Sequence, residues 1–339
     1  MNRPLPDCGI ALVLAGGNAL GAYQAGVHQA LEEAGIVPDR VVGTSIGAIN
    51  GAIIAGNATA DRTARLNDFW RPAPPGSDTP GWWGTVPDTW RRTGEVLGTL
   101  LHGRRGMFSG PGSATLAGAP AVFDTGPMQR TLATLVDFDR LNRDTIRYAA
   151  TAVDLDSGDD AIFDSADRTI TPDHIRASGA LPPTFPPVTI DGTRYVDGGV
   201  SANLALDAVL ETPGDAPLLC IAVDLLPLAA PRATTLGEMT ERAQDLTFAI
   251  QTRRSIMRWQ ERYAADPALR DRSVVLAHLA YADQQPEVAG KALDFSPLSV
   301  RRRWDAGQRD GAALVARWRQ AALPIGSRGL HVVTAACRA

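Results

Sequence analysis

The chain has 339 residues, 45% of them hydrophobic and 21% charged, with a net charge of −4. That is enough apolar material for one large domain or two modest ones, and the weakly acidic balance argues against a nucleic-acid partner, which needs a basic face. Cys8, Cys220 and Cys337 are too few and too scattered for a disulfide framework or a zinc pattern, and no stretch approaches the roughly 20 apolar residues of a bilayer span.

The start of the chain carries Pro4, Pro6 and Asp7 and lacks an apolar signal core. The expectation is a cytoplasmic protein whose membrane contact is at most peripheral. No motif calls for a metal or a cofactor, and none is expected.

Ile10–Ala15 is a continuous apolar run of strand length, suited to burial on both sheet faces. Gly16-Gly17-Asn18-Ala19-Leu20-Gly21 breaks it, and a helix is expected from about Ala19 to Ala34, ended by Gly35. A second strand near Arg40–Val42 leads into Gly43-Thr44-Ser45-Ile46-Gly47 and a further helical run. This order implies a parallel sheet flanked by helices. From Arg71 to Pro127 the periodicity dissolves among prolines, glycines and the tryptophans Trp82, Trp83 and Trp90, with Trp70 at its edge. Order returns as a helical pattern over Gln129–Val136, a buried strand over Arg147–Val153 and a hairpin partner at Ala161–Phe163. A short helix starts near Thr171. A hairpin with an Asp191-Gly192 turn then delivers Asp197-Gly198-Gly199, and Leu218–Val223 is the last clear strand of the sheet. Beyond Leu225 the expected elements are a helix from Thr235 to Ala265 opened by a Thr235–Glu238 capping box, a strand over Ser273–Leu279, and a helix capped by Ser296-Pro297.

Gly43-Thr44-Ser45-Ile46-Gly47 fits G-x-S-x-G in the strand–turn–helix context of a nucleophile elbow. The two glycines leave room for a strained turn, which places the Ser45 hydroxyl at a helix N-terminus. A serine at neutral pH needs a base in hydrogen-bond reach and donors for the oxyanion. Gly16, Gly17 and Asn18, after the first strand, can supply backbone N–H donors. The same loop also reads as close packing, or as a dinucleotide loop, although Asn18 breaks G-x-G-x-x-G and no acidic partner follows at the right distance.

The base is less obvious. None of His28, His102, His174, His278 and His331 lies in a histidine-delivering loop, and His28 reads as a surface position on the first helix. Asp197 ends a strand in Asp-Gly-Gly, where glycines allow close backbone approach. It is either a turn residue or a carboxylate placed to take the serine's proton.

The three segments Gly16–Gly21, Gly43–Gly47 and Asp197–Gly199, in this order, together with Ala177–Pro187, resemble the patatin-like phospholipase family over roughly residues 8–225. The resemblance implies a three-layer α/β/α fold with a mostly parallel central sheet, and a mainly helical C-terminal extension of unassigned role over 226–339. It also implies a Ser-Asp dyad without histidine: Ser45 as nucleophile, Asp197 as general base, Gly16, Gly17 and Asn18 as oxyanion hole, with Gly21, Gly43, Gly47, Gly198 and Gly199 supporting the motifs. The implied substrate is a phospholipid, lysophospholipid, neutral lipid or other acyl ester, with no metal required.

This chain departs from the family loop by Asn18 in place of a third glycine and by Leu20 in place of a frequent Arg or Lys. Asn tolerates positive φ, so the donors are expected to persist. The missing cation leaves general acyl-ester hydrolysis open, and the altered glycine loop motivates an alternative, a catalytically silent lipid-binding or regulatory protein. A hydrolase of another fold with a histidine triad is a further alternative, but Ser45 comes too early for it, with only about two strands before the elbow. Trp82, Trp83, Trp70 and Trp90 read as either an interfacial lid or a cap on the core. Arg301-Arg302-Arg303 reads as a solvated helix face or a contact with anionic lipid. The C-terminal region, with Trp304 and Trp318, is a candidate interface in an oligomer.

Overall fold

The apolar run near the N-terminus becomes the middle of a nine-stranded sheet among the described residues. A computed structural model describes residues 8–71, 87–111, 118, 120–143, 146–230, 232–282, 284 and 287–334. The strands are β1 (Gly9–Leu14), β2 (Arg40–Thr44), β3 (Arg147–Asp154), β4 (Asp160–Asp164), β5 (Val188–Ile190), β6 (Thr193–Asp197), β7 (Leu218–Asp224), β8 (Ser273–Ala280) and β9 (Gly329–Thr334). Their order is β9-β8-β7-β1-β2-β3-β6-β5, with β4 also paired to β3. The strands from β9 to β3 run parallel; β4 and β6 are antiparallel to β3, and β5 to β6.

The longer helices are α1 (Ala22–Glu33), α2 (Ile46–Ala55), α3 (Arg62–Trp70), α4 (Asp88–His102), α5 (Gly126–Leu135), α6 (Pro172–Ser178), α7 (Leu236–Ala265) and α8 (Pro297–Arg319). The alternation of the strands sorts their side chains into two cores. Leu12 and Leu14 of β1, with Leu219, Ile221 and Val223 of β7, pack with residues of α1, α2 and α8 on one face. Ala11 and Val13, with Cys220 and Ala222, pack with Leu204–Leu210 and with Trp259 and Tyr263 of α7 on the other. Helices on both faces of a mostly parallel sheet give three layers. Each fully buried Val, Leu or Ile contributes about 1.5–3 kcal/mol to this arrangement.

The sheet runs across residue 225, where the sequence suggests an extension beginning. β8 and β9 continue it in parallel register, and α8 lies against α1 at backbone contact. A Cβ on Gly26 would stand 1.9 Å from the Trp304 carbonyl, and one on Gly307 1.9 Å from the Tyr23 carbonyl. The Tyr23 hydroxyl donates to Asp310 at 2.6 Å, and the Trp304 indole N–H donates to Gln29. The expected caps of both C-terminal helices form, Thr235 with Glu238 and Ser296 before Pro297.

Several expectations need correction. Within the stretch read as irregular, residues 88–102 form helix α4. Its buried side carries Arg92, Val96 and Thr99, while Trp90 is 75% exposed and Leu97 and Leu101 face solvent. The polar anchor and the glycines at 94 and 98 hide the apolar periodicity that would announce it. Trp70 belongs to the core, whereas Trp82 and Trp83 lie outside the described residues. His28 is buried, not on the surface, and burial beside Arg62 pushes its imidazole down to about 3. Trp304 and Trp318 are buried within the chain, so neither is an exposed interface residue. Arg303 is wholly buried, so the arginine run is not one solvated face.

Candidate active site

Ser45 occupies the single residue between β2 and α2, with φ 56° and ψ −122°. For a residue with a Cβ this region costs on the order of 1–3 kcal/mol and persists only when the surroundings enforce it. Here the flanking glycines do so by letting backbone meet backbone. A Cβ on Gly43 would lie 2.3 Å from the Gly47 carbonyl, and one on Gly47 2.2 Å from the Leu14 carbonyl. The Ser45 N–H donates to the Ser178 hydroxyl at 2.9 Å, which tethers the turn from α6.

Sheet register explains why Asp197 meets this serine. Thr44, the last residue of β2, is level with Thr151 on β3, and Asp197, the last of β6, is level with the next residue, Ala152; β4 occupies the opposite edge of β3 over residues 149–153, so β2 and β6 follow one another along the same edge. Ser45 and Asp197 therefore meet where β2 ends and β6 takes its place, close enough for the Ser45 hydroxyl to donate to the Asp197 carboxylate. The Thr44 and Thr151 hydroxyls bond at 2.8 Å beneath them, and Gly198 packs on Thr151, where a Cβ would come within 2.5 Å of the hydroxyl.

Asp197 is 2% exposed. Burial pushes its carboxyl up to about 6, against the hydrogen bonds it accepts from the Ser45 hydroxyl and the Gly199 N–H. The Gly199 bond is 2.7 Å long and fixes one carboxylate oxygen.

The glycine loop leaves β1 beside this pair. Of its three expected donors, Gly16 is not free: its N–H donates to the Asn203 carbonyl at 3.1 Å, while the Asn203 side-chain amide donates back to the Gly16 carbonyl at 3.1 Å. The N–H groups of Gly17 and Asn18 meet no acceptor among the described residues. Asn18 takes φ 49°, the left-handed conformation its side chain tolerates. Gly21 packs against Ile46 and Trp70, and Gly199 against Asn203 and Asp197.

Ser45, Asp197, Gly16, Gly17 and Asn18 all line one cavity of about 580 Å³. One wall is apolar, with Ile46, Ile49, Met107, Phe108 and Phe185. The lining also carries polar side chains, among them Thr125, Arg176 and Thr184, and from beyond residue 225 Thr240, Glu241, Gln244, Asp245 and Lys291. Lys291, the single lysine of the chain, is buried and donates to Asp245 at 2.6 Å and to Gln284 at 2.7 Å. The cavity thus offers both hydrocarbon and polar groups around the serine.

None of the five histidines lines this cavity. His174 serves the N-terminus of α6 by accepting from the Thr171 N–H at 3.0 Å, and His278 lies 3.5 Å from Asp224. Among the described residues no group of three His, Cys, Asp or Glu side chains could hold a metal ion.

Sequence reasoning missed Asn203, Ser178, Thr151 and Arg303. Asn203 follows Asp197 by a short loop with nothing to mark it. Ser178 sits in the Ala177–Gly179 segment that the family resemblance singles out, but its partner is a backbone N–H 133 positions away in sequence.

A family model described as patatin-like phospholipase matches residues 12–210. Over 100 residues the chain is 41% identical to mouse "Patatin-like phospholipase domain-containing protein 6", which covers 30% of this chain and 7% of that protein. Over 74 residues it is 58% identical to "Lysophospholipase nte1" of Aspergillus terreus, covering 19% of this chain and 5% of that one. The chain thus spans less than a tenth of the length of either relative. Among solved structures it is similar to VipD from Legionella pneumophila, with 13% identity and a TM-score of 0.48 over 95% of this chain and 68% of VipD. With the family model covering more than half of its residues, the chain belongs to the patatin-like phospholipase family.

Proposed function

We propose that this chain hydrolyses acyl esters of lipids, of the phospholipase A or lysophospholipase type, with Ser45 as nucleophile and Asp197 as general base. The observation that carries the reading is the hydrogen bond from the Ser45 hydroxyl to a buried carboxylate raised to about 6. An ordinary surface aspartate is too weak a base for a serine, whereas a carboxylate near neutrality combines ionisation with proton affinity.

In the proposed cycle Asp197 takes the hydroxyl proton as Ser45 Oγ attacks the ester carbonyl. The Gly17 and Asn18 N–H groups and the N-terminus of α2 stabilise the oxyanion. Collapse of the tetrahedral intermediate expels the alcohol, which Asp197 protonates. Water then attacks the acyl-serine with Asp197 again as base, releasing the fatty acid. The apolar side chains of the lining suit the acyl chain, and its polar side chains the alcohol. Lysophospholipase naming among the relatives supports a lipid ester as substrate.

The test is turnover of a short-chain p-nitrophenyl ester and of a lipid panel, with products identified by mass spectrometry. Ser45→Ala and Asp197→Asn are each expected to lose activity by about 10³-fold or more while remaining folded. Full activity in either folded variant overturns the dyad.

A further inference from the structure

The loop that carries the proposed oxyanion donors is held at both ends, and one of the two clamps comes from the C-terminal part of the chain. Asn203 fixes Gly16. At the far end, Arg303 of α8 reaches under the loop and donates from Nη1 to the Ala19 carbonyl at 3.0 Å. The same guanidinium donates to the Asp294 carbonyl at 2.7 Å and the Lys291 carbonyl at 3.0 Å, and holds Glu287 at 2.9 and 2.7 Å. All five of its N–H groups are thereby used. Lys291 also lines the cavity, so one buried planar group ties the donor loop to another part of the cavity lining. Arg303 lies outside the stretch that the family model matches.

We infer that Arg303 is a positioning residue: it sets the Gly17 and Asn18 N–H groups for the transition state, and the C-terminal segment is part of the catalytic unit. This rests on the reading of Ser45 and the loop given above. The physical argument is preorganisation. Two N–H donors on a short turn stabilise an oxyanion only if their directions are fixed before charge develops, and displacement of about 1 Å costs about 10²-fold in rate. A guanidinium can hold several carbonyls in one plane, and an ammonium cannot reproduce that fork.

The same network supplies a matched control. Arg92 of α4 is also buried, and donates to Asp294 at 2.9 Å, Ser299 at 2.7 Å and Glu287 at 2.7 Å. Among the described contacts it touches the network but not the loop. Both arginines hold the buried Glu287 carboxylate, so removing either leaves it short of a partner and costs stability.

The experiment compares Arg303→Met and Arg92→Met in the full chain. It measures the folded fraction, kcat and KM on a p-nitrophenyl ester, and the rate at which a fluorophosphonate labels Ser45. Arg303→Met is expected to lower kcat and the labelling rate per folded molecule by about 10²-fold, with KM within about threefold, while Arg92→Met leaves both rates within about threefold. If Arg303→Met does not fold, Arg303→Lys carries the test, with the same direction and partial recovery. Equal effects of the two arginines per folded molecule, or full kcat without Arg303, overturn the inference and leave the dyad standing. A wild-type protein that takes no label overturns the reading of Ser45, and this inference with it.

Discussion

At Asp197 two requirements conflict. The carboxylate must be buried to face Ser45, and burial raises it from an ordinary 3.8 to about 6. A carboxyl whose folded-state value is raised contributes stability that is fully present below about 3.8 and is lost as pH rises through about 6. At neutral pH the ionised group therefore opposes folding. Asp197→Asn is expected to raise Tm at pH 7.5 by a few degrees, equivalent to about 1–3 kcal/mol, while abolishing turnover; a lower Tm would contradict the burial argument. In the wild type, kcat/KM is expected to rise with pH through a midpoint near 6 as the base ionises. A flat profile from pH 5 to 8 would remove Asp197 from that role. Both residues of the proposed dyad stand out in the sequence because each sits in a motif whose glycines serve a geometric purpose. Asn203 and Ser178 do not, because they act through hydrogen bonds to backbone remote in sequence. Asn203→Ala is expected to lower kcat by about 10–10²-fold with a smaller change in KM, as checked by steady-state kinetics.

At the scale of elements, the tight turn at Ser45 forms because β1, β2 and α2 meet without side chains between them at Gly43 and Gly47. Gly47→Ala would drive a methyl against the Leu14 carbonyl, where a Cβ stands 2.2 Å away. A loss of about 3 kcal/mol or more is expected in denaturant unfolding, and an unchanged midpoint would contradict the packing described. Strands β1, β2, β3 and β7 were readable because burial on both faces leaves unbroken apolar runs. The caps of α7 and α8 were readable because Thr235, Glu238, Ser296 and Pro297 carry local chemistry. Helix α4 was not, since its buried side is anchored by Arg92 and its exposed side carries Trp90 and Leu97. Hydrophobic periodicity finds a helix only when apolar residues face inward.

For the whole molecule, the unit that folds extends beyond the matched family region. β7 pairs with β8 over its full length, and α8 contacts α1 through Gly26 and Gly307. A chain ending at residue 225 would expose the β7 edge, a face of α1 and the carbonyl of Ala19 that Arg303 holds. Such a fragment is expected to be expanded or to aggregate, and cooperative unfolding of the fragment at the full chain's Tm would show otherwise. The sequence marked the change of character near residue 226 but not the continuation of the sheet, because pairing partners are not written in either strand alone.

One hydroxyl, Ser45 Oγ, is proposed to form the acyl intermediate. Intact-mass and peptide mapping of the protein after fluorophosphonate treatment tests it most directly, alongside lipid hydrolysis by wild type and Ser45→Ala. One stoichiometric adduct on Ser45, and hydrolysis only in the wild type, is the predicted result; an unlabelled Ser45 in folded, active protein, or wild-type turnover by Ser45→Ala, would contradict it.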